Sequence, residues 1–309
     1  MSVNLFLKRR LVLDSKIWDL VDGVYSVFRP DMSTLWTNAV IKIRRTSDAA
    51  TAFIFFDGSL AGDTWSLSSL ISTTSNTTPD SSPSVTLGTF LGATGGFVSE
   101  QYFIQPSNTI DNNKTAVNAT SGLQPQSFAF GTILTKNGFP NIDYLGARNL
   151  DAVANSILDT GNTFTIITVS YSTSSADVQS VLSTRGDNNA SQSRLVLNND
   201  RRSNALSFRL RNTSSVNHDA NYLATESSTD QRVTTVLVTP TEITTYLNNV
   251  FQETVSWTGT YSNLTLRLGK QLLTGSPLSG GIQLAAIISG DSPNKTEYFT
   301  NIDSILSIP

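Results

Sequence analysis

The sequence predicts a mostly β protein, layered as a sandwich or jelly roll, with a few short helices and an N-terminal arm. Three observations carry this. Charged residues make up only 15% of the 309 residues, against a usual share of roughly 25%. Ser, Thr and Asn fill the deficit, and these suit strands and turns better than helix surfaces. Short β-branched runs separated by turn signals recur through the C-terminal half, as in sandwiches and jelly rolls. There is no cysteine, and a chain of this length can bury a large core without crosslinks.

Taken in order, residues 1–13, "MSVNLFLKRRLVL", read as an arm whose apolar–basic–apolar pattern suits strand addition to a neighbour. The remainder, 14–309, reads as one sandwich unit. It has a helix–strand–loop part at 14–150 and a jelly-roll core with a closing helix at 151–309. From Asp14 the spacing of Ile17, Leu20, Val21, Val24 and Phe28 predicts a helix capped by Asp14 or Ser15. It should end by Arg29, before Pro30. "VIKIRR" alternates Ile41 and Ile43 with Lys42 and Arg44, a strand with one apolar and one basic face. "FIFFDGSL" is a second strand breaking at Asp57-Gly58. A short helix is expected in "GDTWSLSSLI", near Asp63, and a flexible polar loop over 72–85.

"FVSEQYFI" is strand-like, and "TILTKNGFPNIDYLG" reads as two strands about an Asn137-Gly138 hairpin turn. Beyond residue 160, "NTFTIITVSYS", "SRLVLNNDRRSNALSFRLR", "RVTTVLVTP", "EITTYLNNVFQETVSW" and "LTLRLGKQ" form a meander with Asn248-Asn249 at a hairpin tip. "GGIQLAAIIS" is apolar but for Gln283 and Ser289, as expected of a central strand. Ser292 and Pro293 then start a helix whose apolar stripe is Tyr298, Ile302, Ile305 and Leu306.

Function classes narrow by composition. The net charge is -3, which does not suggest a nucleic-acid surface. No run approaches the 18 apolar residues of a membrane span, and the N-terminus lacks a signal-peptide pattern. The only histidine, His218, lies in the polar run "RNTSSVNHDANY" and reads as a solvated loop residue. The Asn113 and Asn294 sequons are expected by chance in so Asn- and Thr-rich a chain.

Residues 162–306 resemble the concanavalin A-like, laminin G-like jelly roll. The likeness rests on "TYLNNVFQET", "LRLGKQ" and "SGGIQLAAIISGDSPNKTEYFTNIDSIL". "VYSVFRP…AVIKIRRTSDAATAFIFFDGSL" resembles a region preceding this jelly roll in many bacteriophage virion proteins. "GGFVSEQYFIQPSN" sits where that group has "FVTTWYDQSGN", and "LQPQSFAFGTILTKNGFPNIDYLGA" looks like its "QPRIV…NGKPALDFDG". The layout is also similar to the catalytic sandwich of α-L-arabinofuranosidases.

The resemblance implies a virion structural protein, a head-fibre, decoration or tail-fibre component. Such a protein would be made in the host cytoplasm, tied to other virion proteins through its arm, and homo-oligomeric, with a host-surface glycan as a secondary contact. No nucleic acid, membrane, metal or cofactor is implied, and no catalytic residue is assigned. The alternatives are a glycan-binding adhesin and an arabinofuranosidase-like hydrolase. A hydrolase needs two carboxylates roughly 5–5.5 or 6.5–9.5 Å apart. Asp143 and Glu100 lie in the matched segments, and Asp57, Asp187, Glu226 and Glu242 lie elsewhere, without a recognisable pair. The cysteines that arabinofuranosidases carry at the sugar site are missing, and "QYFIQPSN" lacks the Trp and Asp of the usual "WYDQSG" pattern. Asp143 matches the Asp of "ALDFDG", where a carboxylate holding a turn beside Gly146 is the simpler role. For sugar stacking, Trp18, Trp36, Trp65 and Trp257 are available. Trp18 and Trp65 are expected in the core, and Trp257 lies at a strand end. Arg185-Gly186-Asp187 reads as a chance tripeptide, and Asp187 and Asn188 follow no calcium spacing rule.

Overall fold

The computed structural model describes residues 17–80, 85–146, 148–153, 158, 163–173, 179–184, 194–199, 206–222, 231–261, 265–270, 277–290 and 295–306. The arm 1–13, the caps at Asp14, Ser15 and Ser292–Pro293, the 185–188 loop and Glu226 lie outside them.

The chain opens with a short 3-10 turn, Ile17–Leu20, and then strand β1 (Gly23–Ser26), where a helix was expected. Tertiary pairing overrides the helical spacing. β1 runs antiparallel to a late strand, from Gly23 opposite Ile287 to Ser26 opposite Leu284. Of the apolar set of the expected helix, Val21, Val24 and Phe28 are buried in the core all the same. Gly23 permits the close approach, since a Cβ there would sit 2.5 Å from the Phe103 ring.

The sheet continues with β2 (Ile41–Arg45), β3 (Thr51–Ile54) and β4 (Ile71–Ser72). The helix expected in "GDTWSLSSLI" is replaced by turns. Ser69 Oγ accepts from the Ser66 amide at 2.6 Å and donates to the Ser66 carbonyl at 2.7 Å, a local side-chain alternative to helical bonding. The described part of the 72–85 loop is tied down rather than loose. Asp80 accepts from Ser72 Oγ at 2.6 Å and from the Thr73 amide at 2.9 Å. A five-residue helix, Leu87–Leu91, follows and is capped by Thr86.

Next come β5 (Gly96–Gln101), β6 (Ala116–Val117), β7 (Gln126–Ala129), β8 (Thr132–Ile133), β9 (Thr135–Lys136), β10 (Phe139–Pro140), β11 (Ile142–Asp143) and β12 (Leu150–Val153). Asn137 and Gly138 turn β9 into β10 as expected, both with positive φ. The second half holds β13 (Phe164–Ser172), β14 (Ser180–Thr184), β15 (Arg194–Asn198), β16 (Leu206–Arg211), β17 (Asn217–Asn221), β18 (Arg232–Val238), β19 (Glu242–Leu247), β20 (Val250–Ser256), β21 (Thr265–Leu268) and β22 (Gly280–Ser289). Asn248 and Asn249, both at positive φ, form the β19–β20 tip.

All strand pairings among the described residues are antiparallel, and the sheet forks at β5. Gly96–Phe97 pair with β7, whereas Glu100–Gln101 pair with β6 on the same edge. One layer runs β4–β3–β2–β5–β7–β11–β22–β13–β18–β19–β20. The other leaves β5 through β6–β12–β21–β14–β15–β16–β17. The far ends meet where His218 Nδ1 reaches the Ser256 carbonyl at 3.0 Å and Glu253 accepts from the Asn221 amide at 2.6 Å. The result is a nearly closed β-sandwich with one contiguous apolar cluster inside.

β22 is central, as its apolar run implies. It is bonded to β13 on one edge and to β1 and β11 on the other. β13 is buried at every position. The closing helix, Lys295–Leu306, buries Tyr298, Ile302 and Leu306. Its Tyr298 meets Trp18 edge-on at 5.2 Å, and Trp18 Nε1 donates to Asn301 Oδ1 at 2.7 Å.

Candidate functional site

Registers across the forked sheet set two rows of side chains on one face, starting from Lys42 and Arg44 of β2. The first row is Lys42, Glu100, Val117, Asp151, Arg267, Ser183, Val196, Arg209 and Asp219, one residue per strand. It holds three cross-strand ion pairs, Lys42–Glu100 at 2.8 Å, Asp151–Arg267 at 2.5 Å and Arg209–Asp219 at 2.6 Å. Opposite charges facing across strands are a unit of sheet stabilisation. Lys42 also lies over the Phe53 ring. Arg45 binds Asp48 at 2.5 Å and the Phe90 carbonyl. The basic residues of "IKIRR" thus have partners within the sheet and its loops, as a structural role requires.

The second row is Arg44, Phe97, Gln126, Asp143, Gly281 and Tyr171. Phe97 takes two guanidinium groups against its ring, Arg44 at 5.3 Å and Arg148 at 5.0 Å. Asp143 and Tyr171 stand on either side of Gly281, which has no side chain to fill the gap. Asn141, two residues before Asp143, leans across that gap. Its Nδ2 donates to the Tyr171 hydroxyl at 2.8 Å, and a Cβ on Gly281 would lie 2.0 Å from Asn141 Oδ1. Gln283 is held by bonds from its Nε2 to the carbonyls of Lys136 and Pro140, each 3.2 Å. The β9–β10 hairpin therefore roofs one side of the bay, with Lys136 Nζ 5.0 Å from the Tyr171 ring centre.

Burial pushes the Asp143 carboxyl up to about 6, although the Leu145 amide and the nearby Arg148 oppose the rise. Burial, with the Asp143 charge next, also raises the Tyr171 hydroxyl, so it stays protonated. Below the bay, Asn141 Oδ1 and Gln283 Oε1 are sealed from solvent without a hydrogen-bond partner. Each such buried acceptor costs about 1–3 kcal/mol. The bay combines an acid poised near neutrality, a hydroxyl, amides and cations around a floor short of donors.

The other residues singled out in the sequence do not join it. Glu100 is tied to Lys42 and accepts from the Tyr102 hydroxyl at 2.8 Å. It lies two strands across and three residues along from Asp143, roughly 14 Å at ordinary sheet spacings. That exceeds both glycosidase separations. Asp57 and Glu242 are exposed elsewhere. Among the described residues no three His, Cys, Asp or Glu side chains gather as a metal centre would require.

Trp257, considered for sugar stacking, is fully buried and its Nε1 donates to the Thr239 carbonyl at 2.5 Å. Trp36 is 2% exposed. Neither ring has a free face. His218 is not a solvated loop residue. It lies on β17, edge-on to Trp257 at 6.1 Å, with Nδ1 donating to a carbonyl and Nε2 sealed. Sequence reasoning missed Asn141, Tyr171 and Gln283. The one local signal was Gly280-Gly281 at a strand start, a mark of close backbone approach.

No family model and no curated protein matches the chain. Solved structures do. An arabinofuranosidase complexed with arabinofuranosyl-α-1,2-xylobiose is similar at a TM-score of 0.60 and 13% identity, over 93% of this chain and 63% of that one. A GH54 α-L-arabinofuranosidase soaked with a cyclic sulfate inhibitor is similar at 0.59 and 12% identity, with the same coverage. The likeness establishes the fold. The chain shares the β-sandwich fold of these two structures and spans 63% of their length.

Proposed function

We propose that this chain is a non-hydrolytic, glycan-binding β-sandwich displayed on a bacteriophage virion as a head-fibre, decoration or tail-fibre component. The observation that carries glycan binding is the bay at Asp143. Its carboxyl and the neighbouring Tyr171 hydroxyl, which accepts from Asn141 and keeps its own proton to donate, can exchange hydrogen bonds with a polyhydroxyl ligand, directly or through a bridging water. The Tyr171 ring edge and the Gln126 and Arg148 side chains add orientation. The virion setting rests on the sequence resemblance of residues 24–305. Contact with neighbouring virion proteins through residues 1–13, and assembly as a homo-oligomer, belong to the same proposal.

A glycan array tests the binding. Specific hits lost on Asp143→Asn support it, and an array without hits overturns it. Electron microscopy of the parent particle, with this chain at symmetric positions, tests the setting.

One observation favours hydrolysis as a second reading. A carboxyl at about 6 suits a general acid near neutral pH. Release of the aryl group from an aryl α-L-arabinofuranoside, abolished by Asp143→Asn, would establish it. The separation of Asp143 from Glu100 counts against it.

A further inference from the structure

Among the described residues, three two-residue hairpin turns have positive φ at both central positions. They are Asn137-Gly138 (52° and 81°), Asn248-Asn249 (46° and 63°) and Phe130-Gly131 (50° and 72°). Turns of this kind favour Asn or Gly, because other side chains are strained at positive φ. Two of the three follow the rule at their first position. The third places a phenylalanine there, and Phe130 is 90% exposed, more than any other large apolar side chain among the described residues. So exposed a ring adds little to the core, and its backbone conformation is unfavourable.

The tip is nevertheless held firmly. The Gly131 amide donates to the Thr94 carbonyl at 2.6 Å, and a Cβ on Gly131 would lie 2.3 Å from the Gly92 carbonyl oxygen. Thr132 Oγ1 closes the turn on the Ala129 carbonyl at 2.6 Å. The turn backbone is thus fixed, and it presents the Phe130 ring to solvent. It sits at the end of β7, the strand that carries Gln126 into the Asp143 bay. Four residues of rise place it about 13 Å from Gln126, beyond the reach of a disaccharide seated in the bay.

We infer that Phe130 is an aromatic subsite for an oligosaccharide whose first residues occupy the Asp143 bay. This rests on the glycan-binding reading and narrows its ligand to chains longer than two residues. The ring face would stack on the apolar face of a distal sugar, as exposed aromatic faces do.

The test titrates the full chain with a size ladder of arabinoxylan oligosaccharides and with an array of bacterial surface polysaccharides. The variants are Phe130→Asn, Phe130→Ala and Asp143→Asn. Phe130→Asn restores the residue found at the other two turns, so its melting temperature should equal or exceed that of the parent. Both Phe130 variants should weaken long ligands by about tenfold, the scale of one ring contact, and leave disaccharides unchanged. Asp143→Asn should weaken all lengths. Equal affinity of parent and Phe130 variants for long ligands, with Asp143→Asn still impaired, overturns the subsite and leaves the bay standing. No binding of any probe by the parent overturns both.

Discussion

Asp143 and Tyr171 lie two strands apart, opposite the same glycine, with Asn141 bridging from the Asp143 strand to the Tyr171 hydroxyl at 2.8 Å. The missing Gly281 side chain is what lets an acid, an amide and a phenol share one bay.

The acid makes stability pH-dependent. The Asp143 carboxyl is raised from 3.8 to about 6, so the folded state binds its proton more tightly than the unfolded chain. Its contribution is complete below pH 4 and is lost as pH rises through 6. Full burial would make this about 3 kcal/mol, and partial exposure reduces it to about 1–2 kcal/mol. Urea unfolding of the parent at pH 4 and pH 7 should show that loss, and Asp143→Asn should remove it. An unchanged slope in the variant would contradict the assignment.

The glycine gap predicts a specific clash. Gly281→Ala puts a methyl 2.0 Å from Asn141 Oδ1, and such overpacking costs about 1–3 kcal/mol. Adding Asn141→Ala should recover part of that loss, because the obstructing side chain is gone. Thermal denaturation of the single and double variants measures this, and strict additivity would refute it.

The row of ion pairs predicts coupling. Arg267 grips Asp151 with two bonds of 2.6 and 2.5 Å at a site that is largely shielded. A double-mutant cycle of Asp151→Asn and Arg267→Gln should give about 1 kcal/mol of coupling, decreasing with salt. The same reasoning makes Lys42 and Arg44 structural. Their alanine variants should melt earlier and leave retention on a DNA column unchanged.

Trp257 is structural on the same grounds. Trp257→Phe loses the Thr239 bond and the edge contact with His218, and should cost about 1–3 kcal/mol. Glycan titration of the folded variant should match the parent. Selective loss of binding would return Trp257 to the ligand surface.

Much of this architecture can be read along the chain. Alternation in "IKIRR", Asn-Gly and Asn-Asn between apolar runs, and the nearly unbroken apolar run "IQLAAII" each correspond to what the sheet does with them. The failures came where two periodicities competed. Val21, Val24 and Phe28 fit a helical stripe, yet "GVYS" also fits a strand, and β22 supplied the partner. "WSLSSLI" has helical spacing, but its serines bond their own backbone. His218 and Trp257 look like surface residues in a polar stretch, and they became a packed pair because the two sheet ends meet there.

Composition, two-residue alternation and turn chemistry are local properties, and they suffice to dictate a layered, all-antiparallel β protein with hairpins at stated positions. Which side chains share a site is not local. Gln126, Asp143, Tyr171 and Gly281 meet through register between residues up to 138 positions apart. Slipping one strand by one residue would turn its side chains to the opposite face, so the bay exists only once the whole sheet has assembled.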